Sequence, residues 1–412
     1  MRSSMRNSIR FGLLACTLAL ANVARAAEPS DAQVAAAHAA AIVIDAHVDL
    51  PTGFATEKND PGVDGKSQID LPKMEKGGVD AAVLAVFAWQ QARTPEQDAI
   101  AIATGREKLA AIRRVTEWYP SRIGLATRAE DVEKFAASGR RAAVVSVLNA
   151  TVLGSKAELL DEYYAAGLRQ LGFVHASHNA YADSSRPLPK NGDAPTLWGG
   201  LSPLGRSLVS RLNDLGVILD VSQLSTAAFE QVLSLTRAPV VASHSAVRAR
   251  VDNARNLSDA ELKRIAANGG VVHIVAFSAY LLAPPPSFEQ EVAALRTKYA
   301  VADDAAVAKL PADEAAAYQG EYFGLMRALP KANVGHLVDA IDYAVKLIGV
   351  DHVGLATDFE HGGGVDGYRN ESEAPNVTRE LLRRGYSDAD VAKVWGGNWL
   401  RVFREVERLR HR

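Results

Sequence analysis

The chain has 412 residues, of which 48% are apolar and 23% charged, with a single cysteine and a formal net charge of −2. The apolar content excludes an intrinsically disordered chain, and the lone cysteine excludes a fold held by internal disulfide bonds. The near-neutral charge argues against a nucleic-acid-binding protein. The length suits two or three average domains or one α/β barrel.

The N-terminal segment predicts a secretory signal peptide. Three arginines within the first ten residues precede a short apolar run over 11–21, and Ala24-Arg25-Ala26 matches a small-x-small cleavage site. The run is too short for a comfortable transmembrane helix. We therefore expect residues 1–26 to be removed during export to the periplasm, which leaves 27–412 as a single mature domain.

A lipoprotein signal ending at Cys16 is the weaker alternative. It would leave an apolar core of only about four residues, against the usual 7–15. Cleavage after Ala26 removes this cysteine, so a metal site in the mature chain would have to use imidazole and oxygen ligands. No later run is long and apolar enough to span a membrane.

Short β-branched runs recur along the rest of the chain and predict strands. Their near-continuous apolar character, without alternation, is typical of parallel strands that are buried on both faces. The eight runs cover residues 41–46, 80–87, 142–148, 169–174, 216–221, 239–243, 270–276 and 352–357.

Helix signals separate these runs. Ser202-Pro203 supplies a cap and a first-turn proline for a helix that ends at Gly216, and Ser258 with Glu261 forms a capping box. Strands alternating with helices predict a (β/α)8 TIM-type barrel. The alternative, a doubly wound open sheet, is disfavoured because no Gly-x-Gly-x-x-Gly turn follows any strand.

Two segments interrupt the repeat. Residues 51–73 form a long polar loop after the first strand, and about 284–333 form an insertion after the seventh, with a middle part that looks helical. Long insertions in barrels usually lie at the carboxyl ends of the strands, where they shape the substrate pocket.

Polar residues follow several of the predicted strands. His47 and Asp49 are two residues apart, so on an extended strand end both can face the barrel mouth. His244 and Asp358 end two other strands. Because the carboxyl ends of barrel strands carry the chemistry, and imidazole with carboxylate suits zinc, these four residues predict a metal site.

At this point the sequence resembles the membrane (renal) dipeptidase family, zinc enzymes of the amidohydrolase superfamily. The similarity extends from about residue 40 to 404. The segments that carry it are VIDAHVDLP (43–51), LRQLGFVHASHNAYADS (168–184), GLSPLGRSLVSRLNDLGVILDVSQLS (200–225), APVVASHS (238–245), ARNLSD (254–259), GGVVHIVAF (269–277), VGLATDFE (353–360) and RRGYSDADVAKVWGGNWLRVF (383–403).

The resemblance implies a metal-dependent dipeptidase, which hydrolyses the amide bond of a small dipeptide with metal-activated water. His47 and Asp49 match ligands of the first of two zinc ions. Asp358 matches the aspartate that binds this first metal and shuttles a proton, and His244 matches a ligand of the second metal. Members of the family often form dimers, so a homodimer is compatible with the resemblance.

The resemblance also assigns two residues to the substrate. His175 matches a histidine that steadies the tetrahedral intermediate, and Arg255 matches the arginine that holds the terminal carboxylate of the dipeptide.

Two positions depart from the family pattern. Gln223 stands where the family has its other second-metal histidine, and the bridging glutamate falls at Leu148 or, with a one-residue shift, at Asn149. Neither is a carboxylate, and the next glutamate, Glu158, lies well into the following helix. The altered residues favour one zinc ion over two, held by three protein ligands with an open position.

The remaining histidines have simpler interpretations. His273, inside an apolar strand, is expected in the core, and His361 is expected on a solvated loop, with replacement of a lost ligand as the alternative. His178, Tyr181 and Asp183 suit ordinary loop hydrogen bonding, although they could line a pocket.

Three functions therefore stay open. The first is a periplasmic metallo-dipeptidase. The second is a mononuclear enzyme acting on another small amide, ester or lactam, or doing non-hydrolytic chemistry. The third is a catalytically impaired binding protein that keeps the barrel and Arg255. A cysteine or serine hydrolase is disfavoured, because the mature chain has no cysteine and no Gly-x-Ser-x-Gly motif.

Overall fold

A computed structural model describes residues 28–51, 53–156 and 158–410. Its centre is a nine-stranded parallel sheet in the order β1-β2-β4-β5-β6-β7-β8-β9, with β3 paired to β4 at the side. The strands are β1 (Ile44–Asp49), β2 (Ala81–Val86), β3 (Ile123–Leu125), β4 (Arg141–Val147), β5 (Leu168–Gly172), β6 (Ile218–Asp220), β7 (Val241–Ser245), β8 (Val271–Val275) and β9 (Val353–Ala356).

The sheet closes on itself where its first and last strands meet. Val48 and Phe359 form a parallel bridge. On either side of it, the backbone N–H of Asp358 donates to the carbonyl oxygen of His47 at 3.0 Å, and the N–H of Asp49 donates to that of Phe359 at 3.1 Å. This closure confirms the predicted (β/α)8 barrel over the open sheet.

Helices surround the barrel and begin where the sequence places its caps. Ser202 accepts from the N–H of Gly205 at the start of one predicted helix, and Ser258 forms the predicted capping box with Glu261. Across the described residues the helices are α1 (Asp31–Ala40), α2 (Leu71–Gly77), α3 (Pro95–Trp118), α4 (Ala129–Ala137), α5 (Leu159–Ala165), α6 (Pro203–Leu215), α7 (Thr226–Leu235), α8 (Asp259–Ala267), α9 (Ser278–Leu281), α10 (Pro286–Lys298), α11 (Asp304–Val307), α12 (Ala312–Ala328), α13 (Val334–Ile348), α14 (Pro375–Arg383), α15 (Asp388–Ala392) and α16 (Asn398–Leu409).

One end of the barrel is plugged by the last helix. Trp399 and Phe403 of α16 pack with Ile44, Ile218 and other apolar side chains of the barrel strands. Asn398 ties this helix to β9, because its side-chain amide donates to the carbonyl oxygens of Val350 and Val353 at 2.7 and 2.9 Å. The carboxyl ends of the strands are therefore left for a site.

The structure adds one strand to the eight that the sequence predicts. β3 is only three residues long with glycine in its centre, so it is too short to show the hydrophobic pattern from which a strand is predicted. The predicted insertion over 284–333 contains α10, α11 and α12, which share a small apolar cluster of their own around Leu295 and Tyr318. The predicted signal peptide lies outside the described residues.

Candidate metal centre and active site

The two strands at the seam of the barrel bring three predicted ligands together. β1 ends in His47 and Asp49, and Asp358 follows β9. His47 Nε2 lies 3.6 Å from Asp49 Oδ2 and 3.8 Å from Asp358 Oδ1. All three side chains are buried. The predicted spacing of two between His47 and Asp49 therefore places both at one site.

Two atoms of this group have no hydrogen-bond partner among the residues that the structure describes: His47 Nε2 and Asp49 Oδ1. Buried polar atoms are nearly always paired in native proteins. Ligand atoms of Asp49, Asp358 and His361 lie within 4.8 Å of one another. The same holds for His47, His244 and Asp358. Imidazole and carboxylate donors at this spacing fit a bound cation such as zinc.

The ionisation of the three residues reflects their crowding. The pKa of Asp358 is raised to about 6, because burial and the neighbouring Asp49 charge outweigh the opposing effect of His47. Burial alone would also raise the pKa of Asp49, but the hydrogen bond with His361 and the nearby His47 ring hold it below its usual range. Burial would lower the pKa of His47, but the Asp49 carboxylate 3.6 Å away and the nearby Asp358 raise it. Negative charge is concentrated here.

The loop after β9 is held in an unusual backbone conformation. Asp358 and Glu360 have φ of 57° and 66°, in the left-handed region that residues other than glycine seldom adopt. Glu360 fixes the turn, because its carboxylate accepts from Ser67 Oγ at 2.7 Å and from the N–H of Gln68 at 2.5 Å. The long polar loop after β1 thus holds the loop after β9 against the site.

This turn carries His361 into the site, so the prediction of a solvated loop histidine is wrong. The His361 side chain is only 18% exposed, and its Nδ1 lies 2.9 Å from Asp49 Oδ2. Its ring also stacks on that of His175, with centroids 5.0 Å apart. The alternative, in which His361 joins the ligand group, is compatible with this position. The residue types around His361 do not indicate the turn at Asp358 and Glu360 that brings it into the site.

A second group of polar residues lies on the opposite side of His47. The rings of His47 and His244 are stacked, with centroids 3.8 Å apart and planes at 16°. His244 Nε2 lies 3.0 Å from Gln223 Nε2, and Gln223 Oε1 accepts from Arg186 Nη2 at 3.0 Å. His244 Nδ1 lies 2.7 Å from Ser243 Oγ. Sequence analysis did not single out Arg186.

His175 and Arg255, the two predicted substrate-binding residues, are both buried at this end of the barrel. Arg255 Nη2 donates to the carbonyl oxygen of His244 at 3.0 Å, whereas its Nε and Nη1 have no partner within the described part of the chain. His175 Nδ1 is equally unpartnered. Burial, with the positive charge of Arg186, holds the pKa of His175 well below its usual range, so its imidazole is neutral.

The structure shows what stands in place of the expected bridging carboxylate. Leu148 is buried and packs with Ala85 and Phe87. Asn149 is engaged elsewhere: its Oδ1 accepts from the N–H of Thr151 at 3.2 Å and from Asn179 Nδ2 at 2.9 Å. Neither position offers a carboxylate, so the second-metal side is apolar at this point.

The other sequence candidates have structural roles. His273 is buried in β8, with its Nδ1 3.1 Å from the carbonyl oxygen of Ala242. Asp183 accepts from Thr196 Oγ1 and from backbone N–H groups of the following loop, and His178 Nδ1 accepts from the N–H of Ser184. The loop and core interpretations of these residues are confirmed.

An aromatic wall beside the site was not predicted. Phe87 and Trp89 follow β2, and the ring of each lies 4.8 to 5.3 Å from those of His175 and His361. Phe87 and Trp89 also line a cavity of about 390 Å³ against α3, together with Leu50, Ile100, Thr104 and others. Both residues lie at or just after the end of the predicted strand over 80–87, and this position in the sequence already indicates the end of the barrel that carries the chemistry.

A closed parallel barrel with imidazole and carboxylate groups at the carboxyl ends of its strands is the architecture of metal-dependent hydrolases. Comparison with known proteins narrows this class. The model of the membrane dipeptidase family (peptidase family M19) matches residues 31–412. The chain therefore belongs to the membrane dipeptidase family and is a metallo-dipeptidase of that family, as the sequence predicted.

Individual relatives agree with this assignment. The crystal structure of the probable dipeptidase PvdM from Pseudomonas aeruginosa is 42% identical, with a TM-score of 0.88, covering 91% of this chain and 98% of that one. Dipeptidase aclJ from Aspergillus oryzae is 30% identical over 348 residues, which is 83% of this chain and 71% of that protein. Dipeptidase tcpJ from Claviceps purpurea is 29% identical over 352 residues, 84% of this chain and 71% of its own.

Proposed function

We propose that this protein hydrolyses dipeptides with a single zinc ion held by His47, Asp49 and Asp358, next to His361. The observation that carries the proposal is the unpartnered His47 Nε2, which lies within 4 Å of carboxylate oxygens from two other residues. When bound, zinc supplies a Lewis acid that polarises a carbonyl oxygen and acidifies water. The residues at the position of the family's second metal do not fit an ion equally well, because Leu148 and Gln223 stand where the family has ionisable ligands.

Asp358 is the residue that moves the proton. Its carboxylate lies 3.8 Å from His47 Nε2, at the centre of the site, so it can accept a proton there and return it to the leaving amine of the dipeptide. The backbone N–H of Asp358 donates to the carbonyl oxygen of His47, which holds the residue at the site.

Arg255 and His175 position the substrate. Arg255 keeps two unpartnered N–H groups, Nε and Nη1, which are free to donate to the oxygens of a terminal carboxylate. His175 is a neutral imidazole with an unpartnered Nδ1, and it can donate one hydrogen bond to an oxygen on which negative charge develops.

The cavity beside Phe87 and Trp89 is the place for the side chain of the substrate. It adjoins His175 and His361 through the two aromatic rings, and its wall is largely apolar. We therefore expect dipeptides with an apolar side chain to be preferred.

Metal analysis combined with a dipeptide panel tests this function. Purified mature protein is stripped with a chelator, reloaded with zinc, and assayed for zinc content and for cleavage. The expected result is one tightly bound zinc ion per chain and activity that returns with it. Failure to bind zinc, or failure to cleave any dipeptide while cleaving a small amide, ester or lactam, would overturn the proposal.

Export and assembly are further parts of the proposal. The predicted signal peptide over 1–26 supports a periplasmic enzyme, and no helix among the described residues is long and apolar enough to cross a membrane. Cell fractionation with N-terminal sequencing tests cleavage after Ala26. Light scattering distinguishes a homodimer from a monomer.

A further inference from the structure

His244 would bind a second metal ion through its Nε2, but this nitrogen already has a hydrogen-bond partner. Its Nδ1 lies 2.7 Å from Ser243 Oγ, whose hydroxyl donates to Asp220. Ser243 Oγ therefore accepts from Nδ1–H of the neutral ring, and the lone pair of Nε2 accepts the amide N–H of Gln223 at 3.0 Å. His244 and Gln223 are both buried, at 1% and 4% exposure, so this bond does not compete with water.

Arg186 fixes the orientation of the Gln223 amide. A guanidinium group has only donors, so the atom 3.0 Å from Arg186 Nη2 must be the amide oxygen. The amide nitrogen then necessarily faces His244. The backbone also holds Arg186 near Gln223, because the N–H of the preceding residue, Ser185, donates to the carbonyl oxygen of Gln223 at 2.8 Å. Gln223 itself has φ of 70°, a strained conformation of the kind found at functional sites.

Arg186 also brings a permanent positive charge to this side of the site. It interacts with the charge of Asp358 and is repelled by that of Arg255. Its Nε has no hydrogen-bond partner among the residues described. A cation bound at His244 would have to displace the Gln223 amide and lie beside this guanidinium, without the carboxylate that Leu148 replaces.

We propose that the Arg186 guanidinium takes the place of the second metal ion. Gln223, which is bonded to both Arg186 and His244, prevents His244 from binding a metal. Arg186 supplies a fixed positive charge that interacts with Asp358, and uses its free Nε–H to hold the substrate oxygen on which negative charge develops. The catalytic part of this inference rests on the proposed function, whereas the metal count does not depend on activity.

Metal stoichiometry tests the replacement with four proteins, each loaded with zinc, passed through gel filtration and analysed for zinc. Native protein is expected to retain one zinc per chain. The double variant Leu148→Glu with Gln223→His, which restores two family ligands, is expected to retain one as well, because Arg186 is still present. Adding Arg186→Gln to this pair is expected to raise the count to two.

The chain offers a matched control for the arginine. Arg206 also donates to a glutamine, since its Nη2 lies 2.9 Å from Gln231 Oε1, but this pair is exposed and outside the site. Adding Arg206→Gln to the double variant should leave one zinc. The proposal is overturned if native protein retains two zinc ions, if the double variant already does so, or if the correctly folded triple variant still retains one.

A kinetic experiment tests the charge itself. Arg186→Ala is expected to lower kcat about a hundredfold, as for loss of one donor to a developing oxyanion. Added methylguanidinium should recover part of the loss, whereas methylammonium at equal ionic strength should recover less. Absence of rescue with a folded variant that retains one zinc would contradict a direct role of the guanidinium. If native protein cleaves no dipeptide while the zinc counts are as expected, the proposed function fails and the metal replacement stands.

Discussion

His47 and His244 are stacked neighbours in opposite surroundings. Their rings are 3.8 Å apart, yet His47 faces Asp49 and Asp358, and burial is overcome so that its pKa is raised. His244 faces Gln223, and burial together with the nearby His47 and Arg255 holds its pKa well below the usual range. The Nε2 of His47 has no partner within the described residues, whereas that of His244 is bound to an amide.

From this difference we expect that a histidine in a ligand position is not sufficient for a metal site. Neighbouring strand ends decide whether the ring nitrogen is free and whether negative charge balances a cation. On the side of β1 and β9, His47 Nε2 faces carboxylates, whereas on the side of β6 and β7 the two ring nitrogens of His244 are bonded to an amide and a hydroxyl.

Removing a carboxylate from the His47 side should have the largest effect. Asp358→Asn is expected to lower kcat/KM about a thousandfold at saturating zinc, because the amide cannot accept the proton. Asp366→Asn, the same change at an exposed position of the following loop, serves as the control. Steady-state kinetics on one dipeptide measure both. A loss of less than tenfold would mean that another residue moves the proton.

His175→Gln should lower kcat about a hundredfold with little change in KM, since the neutral imidazole is proposed to bind the developing oxyanion and not the ground state. A rise in KM with unchanged kcat would assign His175 to substrate binding alone. Between pH 6 and 9 the pH profile of kcat should have the same shape for native protein and for the variant, because the His175 ring is already neutral.

The same Asp358→Asn change should stabilise the metal-free protein. Burial raises the pKa of Asp358 to about 6, compared with about 3.9 for an unfolded chain. The folded state therefore holds the proton more tightly, and native stability falls as pH rises between these two values. Asparagine carries no such penalty. We expect the free energy of unfolding of the variant to exceed that of native protein by about 3 kcal/mol at pH 8 and to equal it near pH 4.

Urea unfolding in the presence of a chelator measures this difference. Added zinc should reverse the order at pH 8, because the metal stabilises the folded native protein by binding to it. A stability difference that is independent of pH would contradict the assignment of the shift to Asp358.

Arg255→Lys, on the side of His244, should raise KM for dipeptides about tenfold, because a compact ammonium group cannot reproduce the planar set of donors that a guanidinium offers to a carboxylate. The same dipeptides with an amidated C-terminus provide the control, since they lack the group that Arg255 binds. Equal effects of the variant on both substrate series would place Arg255 outside carboxylate recognition.

Filling the cavity should have the smallest effect. Thr104→Trp is expected to raise KM about threefold for dipeptides with a large apolar side chain and to leave glycylglycine unchanged. Thr116→Trp, on the same helix α3 but outside the cavity lining, is the matched control. If both substrates respond alike, the cavity does not hold the side chain.

The barrel and its strand-end residues could be predicted from the sequence because they depend on local signals. Buried parallel strands give continuous apolar runs, and the caps at Ser202 and Ser258 are read from residue type. The inward turn of His361 and the placement of Arg186 could not be predicted. The turn that carries His361 contains positive φ at Asp358 and Glu360, and Gln223, which binds Arg186, has positive φ as well, although residue type would suggest ordinary backbone at all three. Such conformations are imposed by tertiary contacts.

The seam of the barrel also determines when the metal site can exist. The backbone bonds between β1 and the segment after β9 join residues near the two ends of the chain, and Asp49 contacts His361 across 312 positions. A chain emerging from the ribosome carries His47 and Asp49 early and Asp358 last. We therefore expect metal loading to be a late step of biogenesis, and a product terminated before Asp358 to lack the centre.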